Sequence, residues 1–262
     1  MNLGYLGFGQ MGSALAEGLA RFCGAVRGGE IVQFAYAPHG AARRAEARGF
    51  SVNECADAKE LAEQCDMLIL ACKPYQVEDA VRGVNLRGKA LVSVVNAWRM
   101  AQFKSLLGED VRVQCIMPNT PVRVGKGTIL LAEENDLTAG ERETLRGLLG
   151  SVATLIELPE EKIPAANAIS GCGPAFFYMV IEALGDAGVK NGLSRRTAYE
   201  LAAGTMAGAG EMVLRDASAH PGALKDAVCS PGGITIRGVA ALEEAGLRSA
   251  FIRAVDATLG QA

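Results

Sequence analysis

Two histidines, a single tryptophan and no pair of cysteines at C-x-x-C spacing occur in the 262 residues. With only His39 and His220 to draw on, a histidine-based metal centre is not expected. The seven cysteines (Cys23, Cys55, Cys65, Cys72, Cys115, Cys172 and Cys229) are odd in number and unpatterned. That fits reduced thiols in a cytoplasm, used mostly as small core residues, rather than a disulfide framework. Positive charge is also lacking: 26 basic against 29 acidic side chains leave a net charge of -3, and no basic stripe of the kind nucleic acid needs is visible. No apolar run approaches about 18 residues, and the N-terminus opens straight into a strand, so neither a membrane span nor a secretory signal is expected. What remains is ordinary for a globular enzyme, half hydrophobic and 21% charged. The length suffices for one large domain or two modest ones, each burying its own core.

Glycine is where the chain is specific. Leu3 to Leu6 is a short apolar strand, followed by Gly7-Phe8-Gly9-Gln10-Met11-Gly12 and then by Ser13 to Ala20 at helical spacing. A G-x-G-x-x-G run between a strand and a helix is a dinucleotide fingerprint. Gly7 allows the tight turn, Gly9 lets backbone approach a pyrophosphate, and Gly12 lets helix and strand pack closely. A second strand, Glu30 to Tyr36, should end at the adenosine ribose. It carries no Asp or Glu there; instead His39, Arg43 and Arg44 stand where a 2′-phosphate would lie. This favours NADP. Arg43 and Arg44 also fit the solvated face of the next helix, which leaves NADH as the alternative.

Alternation of strand and helix continues for about 155 residues. Gly49 to Asn53 reads as a short strand, Ala56 to Gln64 as a helix, and Asp66 to Cys72 as a buried parallel strand that ends in Lys73-Pro74. Strand ends in such a sheet face the ligand crevice, so Ala71, Cys72, Lys73 and Pro74 are candidate cofactor contacts; Lys73 reads equally well as a surface charge beside a proline turn. Lys89 to Val95, Val111 to Met117, Gly127 to Ala132 and Ser151 to Leu158 complete the expected strands, with a helix over 137–149. The fold class is α/β, a Rossmann-type doubly wound parallel sheet over residues 1–158, with room for an antiparallel edge.

From Glu160 the strand signals stop, and residues 159–262 read as an all-α domain. Ser194 is placed as the N-cap of a long helix from Arg195 to Arg215. That helix carries Ala203, Gly204, Ala207, Gly208 and Gly210, each glycine costing about 1 kcal/mol against alanine. Close helix packing is the expected compensation, across a subunit interface or within the chain. Near the end, Ser230-Pro231-Gly232-Gly233 breaks two short helices, and the second starts at Ile234 with Thr235 one step inside. Unpaired N–H groups at that start suit a small anion such as a carboxylate; a plain helix–loop–helix corner is the other reading.

Taken together, the glycine fingerprint, Ala71-Cys-Lys-Pro74, Met117-Pro-Asn-Thr-Pro121, Ser170-Gly-Cys-Gly-Pro-Ala175 and above all His220-Pro-Gly-Ala-Leu-Lys-Asp-Ala-Val-Cys-Ser-Pro-Gly-Gly-Ile-Thr-Ile-Arg-Gly238 resemble the pyrroline-5-carboxylate reductases, over essentially the whole chain. The resemblance implies an N-terminal Rossmann domain and a C-terminal helical dimerisation domain with interlocked subunits, in many members built into a ring of dimers. It implies NADPH-dependent hydride transfer to the C=N carbon of a small cyclic imine carboxylate, 1-pyrroline-5-carboxylate, yielding proline. By the family's pattern the carboxylate meets the backbone of Gly232, Gly233 and Ile234. Thr235 is the catalytic candidate, its hydroxyl contacting the ring nitrogen, while Ser230 and Asn167 wall the pocket. The cofactor contacts carried over are Leu6, Gly7, Phe8, Gly9, Gln10, Met11, Asn53, Ala71, Cys72, Lys73 and Pro74.

Three departures stand out. Asn96-Ala97-Trp98 stands where the family usually has two alanines and a glycine near the nicotinamide, so that Trp98 either narrows the pocket or packs outward. Cys172 replaces a serine, and Ile234 a threonine or alanine. They leave open a reductase of another cyclic imine, or a non-catalytic NAD(P)-binding sensor. A β-hydroxyacid dehydrogenase would want a lysine general acid–base on a central helix, whereas Lys162 and Lys190 fall at expected helix edges.

Overall fold

The structure is a computed structural model that describes residues 1–24 and 30–260. The chain forms two compact units, Met1–Pro174 and Ala175–Ala262.

In the first unit the elements are β1 (Asn2–Leu6), α1 (Gln10–Phe22), β2 (Val32–Tyr36), α2 (Ala42–Glu46), β3 (Asn53–Glu54), α3 (Ala58–Gln64), β4 (Met67–Leu70) and α4 (Val77–Val81). There follow β5 (Ala90–Ser93), α5 (Met100–Leu107), β6 (Arg112–Pro118), β7 (Gly127–Asn135), α6 (Ala139–Gly150), β8 (Ala153–Leu158) and α7 (Ile163–Ser170). One eight-stranded sheet has the order β3-β2-β1-β4-β5-β6-β7-β8. It is parallel throughout except where β7 runs antiparallel to β6.

Side-chain alternation explains why the central strands read as continuous apolar runs, since they have two cores to fill. Leu3, Tyr5, Met67, Ile69, Ala90 and Val92 point into one core, shared with α1, α2 and α6. Leu6, Leu68, Leu70, Leu91 and Val113 point into the other, shared with α3, α4 and α5. At roughly 25 cal/mol per Å² of apolar surface, a leucine buried on either face contributes about 1.5–3 kcal/mol.

The strand expected over Gly49 to Asn53 is instead the two-residue β3. Phe50 and Val52 pack against the first core from irregular chain, so the apolar alternation is real but has no ladder behind it. The division between units falls after α7, beyond the expected Leu158, because α7 packs on β6 and β7.

The second unit takes in α8 (Gly173–Lys190, from Ala175 onward), α9 (Arg195–Arg215), α10 (Pro221–Ala227), α11 (Ile234–Glu244) and α12 (Leu247–Thr258). The Ser194 hydroxyl accepts from Thr197 N at 3.1 Å, which caps α9 as the sequence predicts. Close helix approach occurs elsewhere than expected. A methyl on Gly185 of α8 would lie 2.3 Å from the Tyr199 ring, and one on Gly188 would lie 2.7 Å from Ala198 Cβ. Gly204, Gly208 and Gly210 of α9 have nothing within 4 Å of such a methyl. The expectation that no apolar run approaches about 18 residues is also corrected, by length and composition alone. The helical stretch Glu160–Lys190 is long and apolar enough to cross a membrane, with mean hydropathy 1.3 and 17% burial over its most apolar part. Ile163 to Ile181 carries no charged side chain; glycines, proline, Asn167 and Ser170 interrupt it without adding charge.

Candidate active site

The carboxyl ends of β1, β2, β4 and β5 open onto one cleft of about 980 Å³. It lies where the winding reverses, between β1 and β4, the place such sheets leave a crevice.

One wall runs from Leu6 to Met11. Gly7 has φ +96°, and a side chain there would lie 2.7 Å from Ala71 O. A methyl on Gly12 would lie 2.4 Å from Gly7 O, so its role is to let α1 begin against the turn. A methyl on Gly9 would meet nothing within 4 Å. The Ser13 hydroxyl donates to Gly9 O at 2.6 Å, and no side chain caps the first-turn N–H groups of α1. Those donors, with the positive end of the helix, fit a pyrophosphate.

The second wall is the β2–α2 corner: Tyr36, Ala37, Pro38, His39, Gly40 and Arg44 line it, and Arg43 does not. An acid does reach this corner, though not from β2. Glu54 of β3 accepts from Ala41 N at 2.6 Å and from Ala42 N at 3.3 Å. Asn53 beside it is exposed, donates its amide to Gln33 O at 3.3 Å and lies outside the cleft lining.

The third wall holds Ala71, Cys72, Lys73, Pro74 and Gln76. Gln76 Oε1 accepts from Lys73 N at 3.1 Å, which fixes the turn after β4. Burial pushes the Cys72 thiol up to about 11, so it stays a neutral thiol rather than a nucleophile. Sequence reasoning missed Asp57, Lys59, Asp79 and Arg82, which also line this side. Only Asp57 had a local signal. Its carboxylate accepts from Lys59 N and Glu60 N, both at 2.8 Å, as a helix cap.

Val94 and Asn96 complete the lining beyond β5. Trp98 does not line the cleft: it packs on Phe103 in the second core, ring centroids 5.0 Å apart. The residue between them, Ala97, has φ +63°, the only positive φ at a non-glycine among the described residues. At the end of β6, buried Asn119 accepts from Thr128 N at 2.8 Å and donates to Ser170 O at 2.9 Å, so it ties the end of α7 to the sheet. Asn167 sits on that same helix end. Its Oδ1 lies 2.0 Å from where a methyl on Gly171 would stand, so glycine is required beside it.

In the second unit Ser230, Gly232, Gly233, Ile234 and Thr235 are brought together in one turn. Gly233 N donates to Ser230 O at 3.0 Å, and Gly232 takes φ +69°. A methyl on Gly233 would lie 2.5 Å from Ser230 Oγ. Gly233 is the N-cap of α11 without a capping side chain, and Ile234 is 79% exposed. The Ile234 and Thr235 N–H groups are thus at an uncapped helix start, able to receive a carboxylate. Lys162 and Lys190 lie at the edges of α7 and α8, away from the middle of any helix.

Residues 160–262 match the family described as pyrroline-5-carboxylate reductase dimerisation, and residues 2–97 match NADP oxidoreductase, coenzyme F420-dependent. The chain is 39% identical to a pyrroline-5-carboxylate reductase of Treponema pallidum over 99% of each chain. It is 33% identical to the Escherichia coli protein of that name, over 97% of this chain and 94% of the relative. A solved structure of Plasmodium falciparum pyrroline carboxylate reductase with NADP bound superposes with TM-score 0.84 at 33% identity, covering 98% of this chain and 96% of that one.

Proposed function

The chain belongs to the pyrroline-5-carboxylate reductase family, and from that membership we infer NADPH-dependent reduction of 1-pyrroline-5-carboxylate to L-proline, the last step of proline synthesis. The observation that carries the reading is the near-complete coverage of relatives of this one name. NADPH, when bound, supplies the hydride, so the chain's own residues have to bind, orient and polarise.

Residues 1–158 hold the dinucleotide, with the pyrophosphate at Gly9 to Met11 and the 2′-phosphate near His39 and Arg44. The geometry that supports this is the uncapped start of α1 and the lining of the β2–α2 corner. Residues 159–262 form the dimerisation and substrate domain, in a homodimer that pairs into larger rings. The substrate carboxylate lies on the Gly232, Gly233 and Ile234 backbone beside Ser230, the protonated ring nitrogen donates to the Thr235 hydroxyl, and Asn167 is a further substrate-binding candidate from the family's pattern. A protonated imine is already electrophilic, so neither a metal nor a covalent nucleophile is needed. Scattered free thiols support a cytoplasmic location.

The test is NADPH oxidation with pyrroline-5-carboxylate and with its six-membered homologue, for the native protein and for Thr235→Ala. Faster turnover on the five-membered ring is expected. Thr235 is exposed, so its alanine variant should fold normally yet lose about 10²-fold in kcat, as when one hydrogen-bonding group aimed at the reacting atoms is removed. Full activity of Thr235→Ala would reject that residue's role, and turnover on the six-membered ring alone would reject the substrate.

A further inference from the structure

We propose that Glu54 restrains this enzyme's preference for NADPH over NADH, by placing a carboxylate beside the β2–α2 corner that would receive the 2′-phosphate of NADPH. The inference rests on dinucleotide binding in the cleft described above. In this fold the adenosine ribose lies at the end of β2, and an acid there accepts from the ribose 2′-hydroxyl of NAD. The end of β2 carries no acid, but Glu54 pairs across from Ala35 in the neighbouring strand β3 and delivers one to the same corner. Its two oxygens accept from Ala41 N at 2.6 Å and Ala42 N at 3.3 Å. Glu54 and those amides lie behind the lining, which Gly40 forms: Glu54 Oε1 lies 3.8 Å from where a methyl on Gly40 would stand.

A 2′-phosphate arriving here gains the Arg44 guanidinium and the His39 ring. Seated against Gly40, it also meets the Glu54 carboxylate behind it, and two negative charges on one corner repel. NADH, with a neutral 2′-hydroxyl, meets no such opposition. The discrimination is therefore smaller than Arg44 and His39 alone would produce.

The experiment is fluorescence titration of NADPH and NADH, without substrate, for the native protein, Glu54→Gln and Arg44→Ala. Glutamine retains an oxygen for Ala41 N and removes the charge, so the corner should keep its shape. The expected result is a Kd for NADPH that falls about tenfold in Glu54→Gln while the Kd for NADH changes less than about twofold. In Arg44→Ala the Kd for NADPH should rise and that for NADH stay in place. An unchanged ratio in Glu54→Gln, or equal changes for both dinucleotides, would reduce Glu54 to a structural cap and overturn the proposal. Native protein that binds neither dinucleotide would overturn the cofactor reading itself, and this proposal with it.

Discussion

Ala97 occupies backbone space that a residue with a Cβ adopts at a cost, and Ala97→Gly should make the protein more stable. The φ of +63° places Ala97 in the left-handed region, which is worth about 1–2 kcal/mol against an L-residue. Glycine removes that strain but adds freedom to the unfolded chain, which takes back about 0.4–1 kcal/mol. Ala97 is exposed, so its methyl contributes little burial to lose. The net gain is about 0.5–1 kcal/mol, and for a chain of this size it corresponds to a rise in Tm of about 1–4 °C. Urea unfolding with an unchanged slope should give the same difference. The companion variant Ala97→Val adds a β-branch at positive φ and should destabilise by at least about 1 kcal/mol. A destabilised glycine variant, or a neutral valine variant, would show that the backbone at residue 97 is not held in this conformation.

Three other outcomes follow from the geometry. Gly9→Ala should leave Tm unchanged and weaken NADPH binding by more than tenfold, because its methyl meets only the open cleft. Gly12→Ala should lower Tm as well, since its methyl strikes Gly7 O; equal behaviour of the two in melting and titration would contradict this assignment. Trp98→Ala should cost about 2–3 kcal/mol in unfolding free energy, by loss of packing on Phe103, and leave the KM for NADPH within about twofold. A large fall in that KM would mean the indole obstructs the cleft after all. Burial alone would raise the Glu141 carboxyl, but hydrogen bonds from Arg112 and Thr138 outweigh it and hold its pKa below the usual value. Such a group stabilises above its unfolded pKa of about 4.3, and the contribution is lost as pH falls through the lower folded value. Glu141→Gln should therefore be less stable than the native protein at pH 7, with the gap closing below about pH 4 in denaturant titrations.

Where local chemistry settles an element, the sequence was a sufficient guide. Ser194 caps a helix with the expected limits, and Gly7 and Gly12 make the turn and the close helix approach that the strand–turn–helix context required. Where partners come from distant chain, it was not. Asn53 had the right neighbourhood, but it stands outside the cleft lining, with one amide N–H on Gln33 O. Glu54 reaches the β2–α2 corner only because β3 pairs with β2, a contact no spacing rule reveals. Trp98 was legible as a departure, while its direction depended on Phe103 in α5. Arg82 and Asp79 had no periodic or capping signal to connect them with the cleft.

The helices of the second unit leave much of their apolar surface uncovered within one chain: Met179 is 68% exposed, Leu214 67% and Ile252 62%. Three glycines of α9 stand against empty space. The match of residues 160–262 to a dimerisation family supports association with a second chain. Folding of this region is then linked to assembly by mass action, and its stability has no value apart from the protein concentration at which it is measured. Dilution should lower its melting temperature while the dinucleotide-binding unit, whose cores are complete within one chain, melts at a temperature that dilution leaves alone.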